Sequence, residues 1–445
     1  MAPARSAHGG DECFGGLAEQ DDAEFEPYRT GISAEAVDAA YRLLAPSAKV
    51  GPPARSPMCM YALHHCAYRL TLPTVPTLRT TLATCYTCPS CYSKVGAHDQ
   101  LRVVLTANKL FVHVRNDSEL SRGRAHPVLL QLLKLLCCSP GGLPDSDLVL
   151  NAGDYGLVPA NGPWKKGGPP PVWSFAKRPT NHLDLFYPYW SVLWLEKLRL
   201  GSAATAKTPW EQKAPRLVWR GSQTGNPPTG DVRKHYKTWQ TDQWRLTPRG
   251  QLVRRCANLS ASVCDAGFHR FAPAVSEPVR RAIEAEGGGL RPRLEWAEMQ
   301  RNRFVGLIDG EGGTAASRSL REFGESDTVS FKTEARAPAA EFWYALLRPY
   351  VHYVPLSPSL EDLEDRLAWA RAHDGEVRRI AEAAARLKRR LLTDANVLCY
   401  MRARWRRYVV PLHFPIPLTL TLVLTLTPIR ALALALTQAL ALNEP

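Results

Sequence analysis

Leu217-Val218-Trp219-Arg220-Gly221-Ser222 runs from two apolar residues through an aromatic and a cation to a glycine and a hydroxyl. The apolar start predicts a buried strand. The end is suited to a ligand, because a glycine lets the backbone approach closely and a serine offers a hydroxyl. From Leu217 to about Leu356 short apolar runs alternate with helical stretches, which predicts an α/β domain. Upstream, Leu148-Val149-Leu150 predicts a second short buried strand, followed by Asn151-Ala152-Gly153-Asp154-Tyr155-Gly156. Small and polar residues over 201–214 mark the boundary between the two parts.

A chain of 445 residues exceeds the usual single-domain range, and 45% hydrophobic with 22% charged residues is a globular composition with material for two cores. The net charge of +14 suits an anionic partner such as a nucleic acid, a membrane surface or a nucleotide-sugar. Much of the excess is local: Arg378, Arg379, Arg386, Lys388, Arg389, Arg390, Arg402, Arg404, Arg406 and Arg407 fall in one late helical stretch. Their interleaving with apolar residues predicts a solvated helical face, and no recognition motif accompanies them, so no nucleic-acid partner is expected. The cysteines number eleven, so at least one thiol would be left over in an oxidising compartment. The N-terminus lacks the apolar core of a signal peptide. Two sequons begin at Asn116 and Asn258.

Between these landmarks the chain is uneven. Ser33 is a predicted N-cap for an Ala-rich helix running to about Leu44. Residues 52–98 hold prolines, Thr/Leu alternation and Cys85-x2-Cys88-x2-Cys91, which lacks a fourth ligand at cluster spacing. An insertion without chemical role is favoured there over a zinc or iron–sulfur site. Leu110-Phe111-Val112 predicts a strand and the leucines at 129–136 a helix. Late in the chain Ser359, with Asp362 three residues on, predicts a helix start. Leu360, Leu363 and Leu367 form one apolar stripe, and Val377, Ile380, Ala384, Leu387 and Leu391 another. The tail 409–445 is built of Leu-Thr and Ala-Leu repeats. Its prolines, His413 and threonines argue against a stable membrane span and for a low-complexity extension with no folded role.

Asp154 is the leading chemical candidate. It follows a short strand, where open α/β sheets place functional groups, and a carboxylate there can take a proton from an attacking hydroxyl. An Asp that merely ends a strand in a turn is the alternative. Asp145-Ser146-Asp147 has the spacing of a metal signature, but it precedes the strand and reads as solvent-facing, so no metal is expected. Without a metal, a departing phosphate needs arginines and backbone N–H groups. Gly221 and Ser222, and Ser317 with Arg318 beyond Gly312-Gly313, are the candidates; the family resemblance set out in the next paragraph implies Arg233, after a longer loop, as a further one. The same resemblance implies weaker places for Lys332 and Asp265, Asp265 being equally suited to a turn, and His352 reads as a packed histidine.

The segments 148–155 and 219–222, followed by Leu346-Leu347-Arg348-Pro349-Tyr350-Val351-His352-Tyr353-Val354-Pro355-Leu356, resemble in order and spacing those of glycosyltransferase family 90. That family includes Rumi-like protein O-glucosyltransferases and capsule xylosyltransferases. In Rumi-like enzymes the first segment reads Asn-x-Arg-Asp-Tyr-Pro, with its Asp as the base; here Gly153 and Gly156 replace the Arg and Pro. Ser174-Phe175-Ala176-Lys177 and Tyr187-Pro188-Tyr189-Trp190 extend the likeness. The resemblance implies a GT-B-like α/β fold, two Rossmann-like lobes with the active site in the cleft between them. Residues 13–200 would form the acceptor-side lobe (52–98 being an unmatched insertion) and 201–392 the UDP-sugar lobe, with a terminal helix at 393–408 packing back on the first. It implies an inverting, metal-independent transferase with no cofactor, moving glucose or xylose from UDP-glucose or UDP-xylose to a protein serine, with Asp154 as base. A polysaccharide or glycan acceptor, or an inactive family member, are the alternatives. An ER or Golgi lumenal setting is also implied.

Overall fold

In a computed structural model the run at 217–222 lies inside a ten-residue strand, with parallel neighbours on both sides. The structure describes residues 23–29, 31–33, 36, 37, 39, 100–106, 109–114, 128, 131–139, 141–153, 156–162, 169–189, 208–224, 243–272, 275–310, 327–334 and 339–409. The Cys85–Cys91 cluster and the repeats beyond residue 409 lie outside these.

Two five-stranded sheets organise the chain. The first contains β1 (Gln100–Thr106), β2 (Lys109–Val114) and β3 (Ser146–Asn151), with β1 antiparallel to both neighbours. β4 (Val172–Ser174) and, after the two-residue β5 (Ala176–Lys177), β6 (Leu185–Phe186) continue it in parallel from β3. All six residues of β3 are buried, as expected of a strand covered on both faces. The second sheet is wholly parallel: β7 (Ala214–Gln223), β8 (Cys264–Phe271), β9 (Asn302–Leu307), β10 (Val329–Thr333) and, after β11 (Ala340–Glu341), β12 (Val354–Leu356). Its spatial order is β12-β10-β9-β7-β8, and β11 pairs antiparallel with β5, tying the far end of this part to the first.

Two of the helices start where a side chain satisfies their free N–H groups. α1 (Pro248–Ala257) has Thr247 as N-cap, accepting from the Gly250 N–H at 3.0 Å, and proline in its first turn. α2 (Glu277–Ala285) follows β8, and α3 (Trp296–Met299) opens with a reciprocal capping box between Glu295 and Glu298. Cys256 and Cys264 form a disulfide joining the end of α1 to the start of β8. Ser33 does cap a turn, its Oγ accepting from Ala36 N–H at 3.1 Å. The helix predicted from Ser359 instead begins later, as α4 (Leu363–Ala372) with Asp362 at its N-cap. Leu360 has φ +53°, a left-handed conformation that cannot belong to a right-handed helix, and Asp362 Oδ1 accepts from Ser357 N–H at 2.9 Å.

α5 (Asp374–Leu391) bridges two cores, which splits its predicted stripe. Val377 and Ile380 join the core of the second sheet, whereas Ala384 and Leu391 join that of the first. α6 (Asp394–Val409) adds Val397, Leu398, Tyr400, Met401, Trp405 and Tyr408 to the first core, and Tyr408 OH donates to the Asp147 carbonyl at 2.8 Å. The late cations are not all solvated: Lys388 and Arg404 are buried. Arg404 lies over Phe25, Trp173 and Tyr400 and pairs with Glu24, so it acts as a core residue rather than as part of a basic face. No described helix is long and apolar enough to cross a membrane.

Candidate active site

At the C-terminal edge of the first sheet the chain leaves β3 into the Asp154 segment. Asp154 and Tyr155 lie outside the described residues, but both flanks are held. Asn151 Oδ1 accepts from Gly153 N–H at 2.8 Å, while its Nδ2 donates to Ser174 Oγ at 2.9 Å. Ser174 in turn donates to Asp184 at 2.6 Å, and the same carboxylate accepts from the N–H groups of Leu157 and Val158 at 2.8 and 2.9 Å. Asp184 is fully buried; burial pushes its carboxyl upward, and those three hydrogen bonds pull it back. A Cβ at Gly156 would lie 2.8 Å from His182 Cγ, so the glycine that replaces the family's proline makes room for His182.

Lys177, the motif lysine, is engaged within the fold. It is 4% exposed, donates to the Asp184 carbonyl and lies 3.3 Å from Glu24 Oε1. Burial lowers its ammonium and Glu24 raises it again, so its role is to anchor this edge. Asp147 is also buried, correcting its solvent-facing reading: Arg102 grips both carboxylate oxygens at 3.0 and 2.6 Å. Asp145 is exposed.

At the C-terminal edge of the second sheet, the β7–β8 register shifts between Gly221 and Ser222. Such a bulge re-aims the side chain that follows it. Ser222 Oγ accepts from Arg270 Nε at 2.6 Å, and its carbonyl accepts from Arg249, which also donates to Thr224 Oγ1 at 2.6 Å. The close approach at Gly221 is used by the protein itself, since a Cβ there would sit 2.2 Å from the Trp219 ring. Arg220 is buried and structural: it donates to Asp265 Oδ1 and the Asp265 carbonyl, both at 2.8 Å. Arg291 donates to the same Oδ1 at 2.9 Å. Asp265 therefore sits inside β8 as an ion-pair centre rather than in a turn. His352 accepts from Arg348 N–H at 3.0 Å, and burial lowers its imidazole. Arg233, Ser317 and Arg318 lie outside the described residues.

The sequence reading missed Asp309. It lies two residues beyond the end of β9, is 5% exposed, and its N–H donates to Thr333 Oγ1 at 3.1 Å. Oδ1 is buried with no hydrogen-bond donor among the described residues. Burial raises the carboxyl to about 6, opposed by Lys332, the Thr333 hydroxyl, Arg249 and Arg178. Arg178 follows β5, so cations from both parts of the chain act on one carboxylate. Lys332 is itself buried, with its Nζ above the rings of Tyr344 and Tyr353. The signal was present in Phe304-Val305-Gly306-Leu307-Ile308-Asp309-Gly310, an apolar strand ending in Asp-Gly just before the glycine-rich run. Among the described residues no three of His, Cys, Asp and Glu converge as metal ligands would.

Hydroxyls, a buried carboxylate and several cations at the ends of parallel strands suit a polar, anionic ligand. Comparison with known proteins sharpens this. Protein 035R of Invertebrate iridescent virus 3, itself uncharacterized, is 28% identical over 196 residues, 43% of this chain and 16% of that protein. Protein O-glucosyltransferase 2 of Danio rerio is 26% identical over 274 residues, 60% of this chain and 47% of that one. O-glucosyltransferase rumi of Drosophila pseudoobscura pseudoobscura is 26% identical over 294 residues, covering 62% and 63%. The chain thus spans less than two thirds of the length of each of these three relatives. The family described as Glycosyl transferase family 90 matches residues 88–415, about three quarters of the sequence and nearly all of both sheets, and the chain belongs to glycosyltransferase family 90.

Proposed function

We propose that this protein is an inverting, metal-independent glycosyltransferase that moves glucose or xylose from a UDP-sugar to a serine hydroxyl of a protein. The observation that carries the reading is the family match, which spans both strand edges where hydroxyls and cations gather. Two relatives bear the name O-glucosyltransferase, which favours glucose as the sugar and a protein as the acceptor. In this reading the two sheets are the cores of two GT-B lobes, and the ligand lies between their C-terminal edges.

The chemistry follows from the charges. Asp154 takes the proton of the acceptor hydroxyl while its oxygen bonds to the anomeric carbon, and the bond from that carbon to the β-phosphate oxygen breaks with its electron pair leaving on UDP. Arg233, Arg318, Arg249 and the Ser222 hydroxyl stabilise the departing diphosphate; arginine suits this because its fork donates two parallel hydrogen bonds to phosphate oxygens. The Asn151–Ser174–Asp184 network fixes the flanks of the base. A lumenal, oxidising setting accords with the Cys256–Cys264 disulfide and with the exposed sequon residue Asn258 after α1.

The test is UDP release from the full chain, offered UDP-glucose or UDP-xylose with a serine-containing acceptor and EDTA. Turnover with one donor, falling about 100-fold or more in Asp154→Asn while UDP affinity is kept, is the expected result. Turnover that EDTA abolishes, or that survives in Asp154→Asn, would overturn the mechanism.

A further inference from the structure

The cluster around Asp309 contains a group that a diphosphate alone does not explain. Arg249, Lys332 and Arg178 suit phosphate oxygens, but a carboxylate among them repels the same oxygens. The part of a ligand that meets Asp309 must therefore be neutral and carry a hydrogen-bond donor. Asp309 supplies what such a donor needs. Its side chain is more than nine-tenths buried, and Oδ1 has no donor among the described residues. A buried acceptor left without a donor costs free energy, so one that persists beside a site calls for a partner from the ligand. Its position is fixed from three sides. The Asp309 N–H is tied to Thr333, the preceding Ile308 packs into the second core, and at Gly310 a Cβ would lie 2.3 Å from the Arg249 guanidinium.

A nucleotide-sugar offers three neutral donors: the base N–H, the ribose hydroxyls and the hydroxyls of the transferred sugar. Geometry separates them. The anomeric carbon must lie between the phosphates and the acceptor, so the transferred sugar is the portion that reaches towards the first sheet. Asp309 follows the part of β9 that meets the first sheet: Leu307, two residues earlier, packs into the first core, whereas Ile308 between them packs into the second. We propose that Asp309 is a sugar-binding residue whose Oδ1 accepts a hydrogen bond from a ring hydroxyl of the transferred sugar. The inference rests on the UDP-sugar reading above and names the residue that holds its sugar.

Calorimetric titration of the full chain with UDP and with UDP-glucose, in the parent protein and in Asp309→Asn and Asp309→Ala, tests it. UDP affinity is expected to be unchanged or tighter, since a repelling charge is removed, while UDP-glucose weakens by about 10- to 100-fold in Asp309→Ala, the size of one hydrogen bond to a charged acceptor. A second arm keeps the parent fold: UDP-glucose analogues, each lacking one ring hydroxyl, are titrated into the parent protein and Asp309→Ala. One analogue should lose affinity in the parent and lose no more in the variant, since the two changes remove the same contact. Equal losses for UDP and UDP-glucose would place Asp309 at the ribose or in the scaffold and overturn the inference. So would additive losses for every analogue. Failure of the parent protein to bind UDP would sink the UDP-sugar reading itself, a result distinguishable from either.

Discussion

Asp309 has a cost that can be measured without any ligand. Its carboxyl is raised by burial from 3.8 to about 6, so the folded protein prefers it protonated. The stability linked to that proton is fully present below about 3.8 and lost as pH rises through about 6. At neutral pH the buried charge therefore destabilises the fold, by up to about 3 kcal/mol for a shift of this size. Asp309→Asn, neutral at every pH, is expected to raise the urea midpoint at about pH 8 and to lose that gain near pH 4. A gain that is the same at both would show that the carboxylate is not strained by burial. A residue that weakens the fold at working pH is one that folding alone does not explain.

At the scale of elements, the second strand edge depends on β7 keeping its bulge. The bulge lies where Trp219 curls its ring into the space beside Gly221. Gly221→Ala would put a methyl 2.2 Å from that ring, and the ring is buried between β7 and Phe268, so it cannot swing away. The expected loss is about 1–3 kcal/mol in chemical denaturation, the range of an overpacked core. Gly289→Ala is the control, as nothing lies within 4 Å of its added Cβ; it should fall within about 0.5 kcal/mol of the parent. Comparable losses in both would mean that packing against Trp219 does not set the requirement at 221, since chain entropy alone makes Gly→Ala stabilising. The strand at 217–222 was legible because its apolar run is dense. The conformation at its end was not, since a glycine suited to a ligand and a glycine that admits a neighbouring ring look alike in sequence.

At the scale of the molecule, one buried ion cluster joins three distant parts of the chain. Glu24 pairs with Arg404 of α6 and Lys177 of β5, and its Oε2 accepts from the Phe186 N–H at 3.0 Å. The side chains of Lys177 and Arg404 are 4% and 0% exposed. Glu24→Gln would leave both cations without their carboxylate, at an expected cost of about 3–5 kcal/mol in urea unfolding. Adding Arg404→Met to Glu24→Gln should recover part of that loss, because one stranded charge is then removed. A full loss in the double variant would locate the stability in the packing of Arg404 against Phe25 and Trp173 instead. The cluster also joins the network behind β3, since Lys177 holds the Asp184 carbonyl and the Asp184 carboxylate accepts from Ser174.

The buried strands at 148–150 and 217–218 and the α/β character were written in the sequence, because apolar periodicity is local. Leu148–Leu150 and Leu217–Val218 fall in buried strands as their composition requires. What individual charged residues do was decided only by the tertiary structure. Arg404 and Lys388 sit among cations on helices that look amphipathic, yet both are buried, because α5 and α6 meet residues from far away in the chain. Arg220, Asp265, Lys177 and Asp147 carry the charges that a ligand site would use, and each is engaged within the fold. Asp309, a plain Asp-Gly in sequence, is left buried without a donor among the described residues. Charge type is fixed by the residue, whereas the partner of a charge is fixed by whatever the fold brings within about 3 Å of it.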